Sequence, residues 1–453
     1  MPMRPFLDRR LFFKVAASGI AGTMISPLEL FPRGQSSNPV NILGTARNCI
    51  FILLHGAPSQ VDTFDLKVGP WTPSNFAPTT VNGLDWPGGL LPQIGAQISL
   101  NRVAVVRSCQ APALIHSLQQ TWTQTGRSPS SPSGLIAPNV GTVVALEKEP
   151  ERQSNQPVPG FLSLSGGVTT SGAGYFPGRY APFKFLPPNN GNGLLDIRPA
   201  QNEATFKGGY EILRALDGPL VRDIPISPRF EETFDFYSAA RAMMFDDRVT
   251  TAFQFTSADS LRYGQSSFGQ QCLTAFNVLK ANLGVRYIQI NNQGWDHHSE
   301  IYTGQFGLPW FTRYLDAGLA TLLNDLAATP GTRGTLLDET LIVVRGEFGR
   351  VVGPLNALGG RDHYFNYSAL LAGGGVRGGR AIGKTTPDGA HVDIPGWSLN
   401  RPIYHEDFAA TIYSALGIDY RTTRHDDPLG IGFQYVADTA TRYVGEPIVE
   451  LFR

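Results

Sequence analysis

The chain has 453 residues, of which 42% are apolar and only 16% charged, with 37 basic side chains against 37 acidic ones. This balance gives no electrostatic ground for expecting a nucleic acid or an anionic membrane as partner, and the length suits one large α/β domain or two smaller ones. Fifty glycines and 34 prolines imply long ordered loops, and the three cysteines, Cys49, Cys109 and Cys272, have neither zinc-ribbon nor redox spacing. They read as buried side chains with at most one disulfide among them.

Residues 1–40 read as an export signal and linker. Arg4, Arg9, Arg10 and Lys14 make a basic start, and Val15 to Ile25 is a short apolar stretch, too short to span a bilayer comfortably. Asp8-Arg-Arg-Leu-Phe-Phe-Lys14 resembles the twin-arginine export motif. The expected partner of this segment is therefore the twin-arginine export machinery, and the expected location is the periplasm, the cell envelope or the extracellular space. A membrane span in the mature protein is expected only if the signal is retained.

Beyond the linker, Ile50-Phe-Ile-Leu-Leu54 is a continuous apolar run. Such a run predicts a strand buried on both faces, as in a parallel sheet. Val103–Val106, Arg286–Ile290, Thr340–Val344 and Ala369–Ala372 repeat the pattern. Helical spacing falls between them. Phe268, Cys272, Ala275, Phe276 and Leu279 precede the third run, Leu315, Leu319, Leu322, Leu323 and Leu326 precede the fourth, and Asp407 to Leu416 forms a late helix stopped by Gly417. Pro70–Pro92 and Gln153–Pro199 read as long covering loops or small β-excursions. The predicted fold is a doubly wound α/β domain over residues 48–430, its sheet mostly parallel with helices on both faces, followed by a C-terminal tail, 431–453.

The ends of the strands carry the polar chemistry. His55, Asp62 and Asp65 follow the first run. Asp296, His297 and His298 follow the third, and Glu347 and Arg350 the fourth, while Arg361, Asp362 and His363 precede the fifth. Parallel strands share one carboxyl edge, so these groups can converge although they are far apart in sequence. Histidine and carboxylate suit zinc, manganese or iron, and carboxylates alone suit calcium or magnesium. The candidate ligands are Asp296, His298, Glu347, His363 and Asp62, holding one or more divalent ions, with zinc, manganese and calcium the leading identities. Two ions about 3.5–4 Å apart would clamp the attacking and leaving oxygens of a phosphoryl or sulfuryl transfer. Arg350 is the candidate for gripping the anionic group, because its planar fork matches phosphate or sulfate oxygens.

Each group has a structural alternative. Asp296 could cap a helix, Glu347 and Arg350 could form an ion pair, and so could Arg361 and Asp362. His297 is the expected bystander of its pair, and His391 and His405 read as ordinary surface or loop histidines.

Five ordered blocks of this chain resemble the DUF1501 family, a bacterial group in the alkaline phosphatase-like superfamily. They are His55-Gly-Ala-Pro-Ser-Gln-Val-Asp-Thr-Phe-Asp-Leu-Lys67, Arg286 to His298, Gly346-Glu-Phe-Gly-Arg350, Gly360-Arg-Asp-His363 and Leu370 to Gly379. The resemblance implies a doubly wound fold with a one-metal or two-metal site hydrolysing phosphate or sulfate esters. By position, Asp296 and His298 resemble ligands of one metal, Glu347 lies where a second-metal pair is usual, and His363 resembles a late histidine ligand. His55 stands near the first-strand aspartate of the superfamily, which is a departure. His116 falls where those enzymes carry a hydroxyl or modified-cysteine nucleophile. His116 is thus expected as a covalent nucleophile, or as a ligand beside metal-activated water, or as part of a degenerate site. The expected partner is a small anionic ester. The rival expectation is a cell-envelope binding or assembly protein that keeps the fold.

Overall fold

The structure is a computed structural model and describes residues 40–165, 170–188, 190–194, 202–223, 229–437 and 444–453. The basic amino-terminal segment lies outside the described residues, as does part of the Gln153–Pro199 stretch.

The five apolar runs lie on five strands of one eight-stranded sheet. In chain order the sheet strands are β1 Asn48–Leu54, β2 Val103–Gln110, β3 Phe161–Ser163, β4 Phe183–Lys184, β5 Tyr287–Asn292, β6 Thr340–Arg345, β7 Asn366–Ala372 and β8 Ala381–Ile382. Their spatial order is β8-β2-β7-β6-β1-β5-β3-β4. Alternate side chains of β1 explain its unbroken apolarity. Ile50, Ile52 and Leu54 enter one core, and Cys49, Phe51 and Leu53 enter the other. Each such side chain contributes roughly 1.5–3 kcal/mol on burial.

Helices cover both cores. The first core takes α1 (Pro92–Ser99), α4 (Ser267–Lys280) and α5 (Leu308–Ala328) through residues such as Ile94, Leu273 and Leu319. The second takes α3 (Val140–Lys148) and α6 (His405–Ala415) through Val143 and Ile412. A further helix, α2 (His116–Thr125), follows β2 and ends on Gly126, whose φ of 64° suits a residue without a Cβ.

One strand is reversed. β7 pairs antiparallel with both β2 and β6, and its pairing with β6 begins at Ala369, opposite Arg345 at the end of β6. In a wholly parallel sheet the loop before β7 would emerge at the amino edge. Reversal brings that loop, with His363, to the edge where β1, β5 and β6 end.

Three expectations need correction or detail. The carboxyl-terminal residues are not a tail outside the domain, because Ile448 and Leu451 are buried in the second core. His405 is no surface histidine either. It is fully buried, with Nε2 2.6 Å from Gln119 Oε1 and Nδ1 against the Arg345 guanidinium, and burial and that charge hold it well below the usual histidine pKa. Pro70–Pro92 carries a hairpin, Pro78–Val81 with Leu84–Pro87. All three cysteines are free and buried. Among the described residues no helix is long and apolar enough to cross a membrane.

Candidate metal centre

Tight strand-end turns bring four segments together. After β1 the chain turns at Gly56, where a Cβ would lie 2.5 Å from the amide nitrogen of Asp296. Only glycine lets the β1 and β5 loops approach this closely. Ala57 follows with φ of 60°, an uncommon conformation for a residue with a Cβ, and its carbonyl accepts from Arg350 Nε at 2.9 Å. The short pairing of His363 with Arg350 fixes the loop before β7. A Cβ on Gly360 would lie 2.0 Å from the carbonyl carbon of His298, so this loop also needs a bare backbone. The first residue of α2 is His116, which faces the same point.

The result is a cluster of His116, Asp296, His298 and His363, with one ligand atom from each and all four within 4.8 Å of one another. His363 Nε2 lies 2.9 Å from His116 Nε2 and 3.0 Å from His298 Nε2. Asp296 Oδ1 lies 3.0 Å from His298 Nε2 and 3.3 Å from His116 Nε2.

The outer ring nitrogens decide what this geometry means. His116 Nδ1 meets Glu347 Oε1 at 2.6 Å, His298 Nδ1 meets Asp362 Oδ1 at 3.0 Å, and His363 Nδ1 meets the Leu114 carbonyl at 3.0 Å. Each of these partners is an acceptor, so in a neutral imidazole each Nδ1 carries the proton and each Nε2 is a bare lone pair. Three lone pairs and a carboxylate oxygen therefore point at one another. Holding the far nitrogen of a histidine on a carboxylate or carbonyl is how proteins orient metal ligands. Charge points the same way: Asp296 within the cluster and Glu347 and Asp362 against its histidines make three carboxylates against one guanidinium, Arg350. A divalent cation fits both the donor set and the two surplus negative charges.

Local electrostatics keep the donors in binding form. Burial, reinforced by the Arg350 charge, holds His363 below the ordinary histidine pKa. Burial raises the Glu347 carboxyl, but hydrogen bonds from His116 and Gln120 outweigh it and leave the group below its usual value. Asp296 is likewise lowered, because its contact with Arg350 overcomes its burial.

The remaining expected residues fall in other places. Glu347 stands behind the cluster. Fully buried, its Oε1 accepts from His116, from Gln120 Nε2 at 2.9 Å and from the Gly56 amide at 2.9 Å. Asp62 is not among the converging atoms. Arg361 reaches its two oxygens at 2.7 and 3.2 Å, and Tyr302 and Ser59 donate to it at 2.7 and 2.6 Å. Arg350 was expected to grip an anion, but it is buried and its N–H groups go to the carbonyls of Gly56, Ala57 and Arg361, to Asp296 and toward His298. With its fork engaged on all sides, it braces the loops instead. His297 is the bystander, its Nε2 3.0 Å from the Phe306 carbonyl. Sequence reasoning passed over Gln120, although its position one helical turn after His116 puts both side chains on the same face of α2.

The fold and the cluster together define an α/β protein with a histidine-rich cluster, able to hold a cation, at the carboxyl edge of its sheet. Residues 46–431 match the family described as a protein of unknown function, DUF1501, and the chain belongs to that family. No curated protein matches it. Among solved structures, a protein in the alkaline phosphatase superfamily from Vibrio parahaemolyticus is similar at 11% identity and a TM-score of 0.36, covering 84% of this chain and 69% of its own.

Proposed function

We propose that this protein is an exported, metal-dependent hydrolase of a phosphate or sulfate ester. The observation that carries the reading is the convergence of three histidine Nε2 lone pairs and one carboxylate, at a point partly open to solvent. The resemblance of the five sequence blocks to the DUF1501 family, and through it to the alkaline phosphatase-like superfamily, suggests the reaction class, and the twin-arginine-like start supports export. A divalent cation at such a point supplies Lewis acidity, polarising an ester oxygen and activating water near neutral pH.

The chain's own residues have distinct parts in this reading. His116, His298, His363 and Asp296 hold the cation. Glu347, Asp362 and the Leu114 carbonyl fix the ring orientations and keep protons on the outer nitrogens. Arg350 offsets the charge of Asp296 and locks the β1 and β5 loops. Since its Nε2 is engaged as a ligand, His116 does not serve as a covalent nucleophile, and activated water takes that part.

Purified protein loaded with zinc, manganese or calcium tests the proposal. The expected result is about one equivalent of bound metal and hydrolysis of p-nitrophenyl phosphate or sulfate that chelation abolishes and metal restores. Protein that binds no metal refutes the reading. Full metal occupancy without turnover on a broad set of phosphate and sulfate esters would leave the envelope-binding alternative.

A further inference from the structure

A cavity of about 430 Å³ lies beside the end of β5, within the size range of small-molecule sites. Its lining combines Trp310, Phe311 and Tyr314 from the first turns of α5 with amides that include Gln271, Asn292 and Gln293, together with serine hydroxyls and one leucine. No side chain that lines it carries a charge. A second cavity, of about 410 Å³, is lined by charged side chains of both signs, Arg152, Arg179 and Arg248 with Glu149 and Asp246.

Flat aromatic faces next to amides and hydroxyls suit a ring that is apolar on its faces and rich in hydroxyl groups at its edges. Trp310 is 36% exposed, its ring contacts both Phe306 and Tyr314, and the Arg313 guanidinium lies over part of the Trp310 and Tyr314 rings at 5.1 and 4.6 Å. That leaves a stretch of aromatic surface partly open to solvent. Phe311 connects the cavity wall to the loop that carries Asp296 and His298. This residue lines the cavity on one side, and on the other packs against the rings of Trp295 and His297 at 5.5 and 5.6 Å. A Cβ on Gly294 would lie 2.2 Å from the Phe311 ring, so the loop that carries Asp296 and His298 rests directly on this wall.

We infer that this cavity binds an uncharged sugar ring, and that the ester hydrolysed at the cation site is carried on a carbohydrate. The second part rests on the hydrolase reading, while the first does not. A microarray of neutral, phosphorylated and sulfated glycans, probed with metal-loaded and metal-free protein, tests both. Saturation-transfer NMR with the best-bound neutral sugar then compares the wild type with Trp310→Ala and Tyr314→Ala. The expected result is sugar binding by both forms, weakened about tenfold by either substitution at unchanged metal content. Phosphorylated or sulfated versions of the bound glycan should be hydrolysed with higher kcat/KM than p-nitrophenyl esters, an advantage that Trp310→Ala removes. An array without bound glycans overturns the inference, and so does sugar binding that survives both substitutions. Sugar binding by a protein that takes up no metal supports the cavity and refutes the hydrolase.

Discussion

Two constellations of charged side chains stand at the same edge of the sheet, and they are built on opposite principles. Around Asp62, every strong acceptor has a donor: Arg361, Tyr302 and Ser59 saturate one buried carboxylate. Around His116, His298, His363 and Asp296 the outer nitrogens are saturated and the inner atoms are not, since lone pairs face lone pairs at 2.9–3.0 Å. The first arrangement is complete as the chain folds. The second leaves its inner acceptors facing one another, an arrangement that a cation would complete. The difference lies in the balance of donors and acceptors, because aspartate and arginine serve in both.

This contrast can be broken most sharply at His363. Joint replacement of His363 and Asp296 by alanine should take bound metal from about one equivalent to none, as read by elemental analysis of dialysed protein. Unchanged metal content would mean that the lone pairs are not the site. The closed constellation should behave in the reverse way. Asp62→Ala leaves the Arg361 charge buried without its partner and should cost roughly 3–5 kcal/mol in denaturant unfolding, while metal stoichiometry in the folded protein stays the same. Loss of metal without loss of stability would place Asp62 in the site after all.

A smaller effect is expected behind the cluster. Glu347→Gln keeps an oxygen for His116, Gln120 and Gly56 but removes the charge that favours their N–H groups. Metal affinity should fall about 10–100-fold in competition with a calibrated chelator, and an unchanged affinity would make Glu347 a packing residue. The mildest test concerns a carboxyl with neither cation nor arginine fork. Glu406 is fully buried, accepts from Trp122 Nε1 at 2.7 Å, and is pushed up by burial to about 8. The folded state holds that proton more tightly than the unfolded chain, so this group's stability contribution is present below about pH 4.5 and is lost as pH rises through 8. Glu406→Gln should therefore gain on the wild type between pH 5 and about 9 in urea unfolding. Parallel pH profiles would show that Glu406 ionises normally.

The sequence made some of this architecture plain and concealed the rest for physical reasons. Ile50–Leu54 and its four counterparts were readable as strands because both of their faces are buried, which leaves no polar alternation. The direction of β7 was not readable, since an apolar run has the same pattern in either sense. Asp296, His298 and His363 were readable as strand-edge groups. Asp62 and Arg350 shared that signature, and only their partners separate structural from binding roles. The Asp62–Arg361 pair spans 299 positions, and no local pattern records it. His405 was misjudged for a similar reason, because the Arg345 and Gln119 groups that bury it lie 60 and 286 positions away.

The reversed strand also fixes when the cation site can come into being. Strands β8 and β2, with α2 and His116 behind them, join the rest of the sheet only through β7. On the far side of that seam, β5 leads into Asp296 and His298, and β7 itself is preceded by His363. The three histidines therefore come from both sides of the seam that joins a two-stranded piece to the rest of the sheet, across a sequence span of 247 residues between His116 and His363. Contacts of such range form late, after the loop-closure entropy of the intervening chain has been overcome. On the metal-site reading, a partly folded chain would offer the ion no more than fragments of its cage, and metal capture would follow folding rather than seed it.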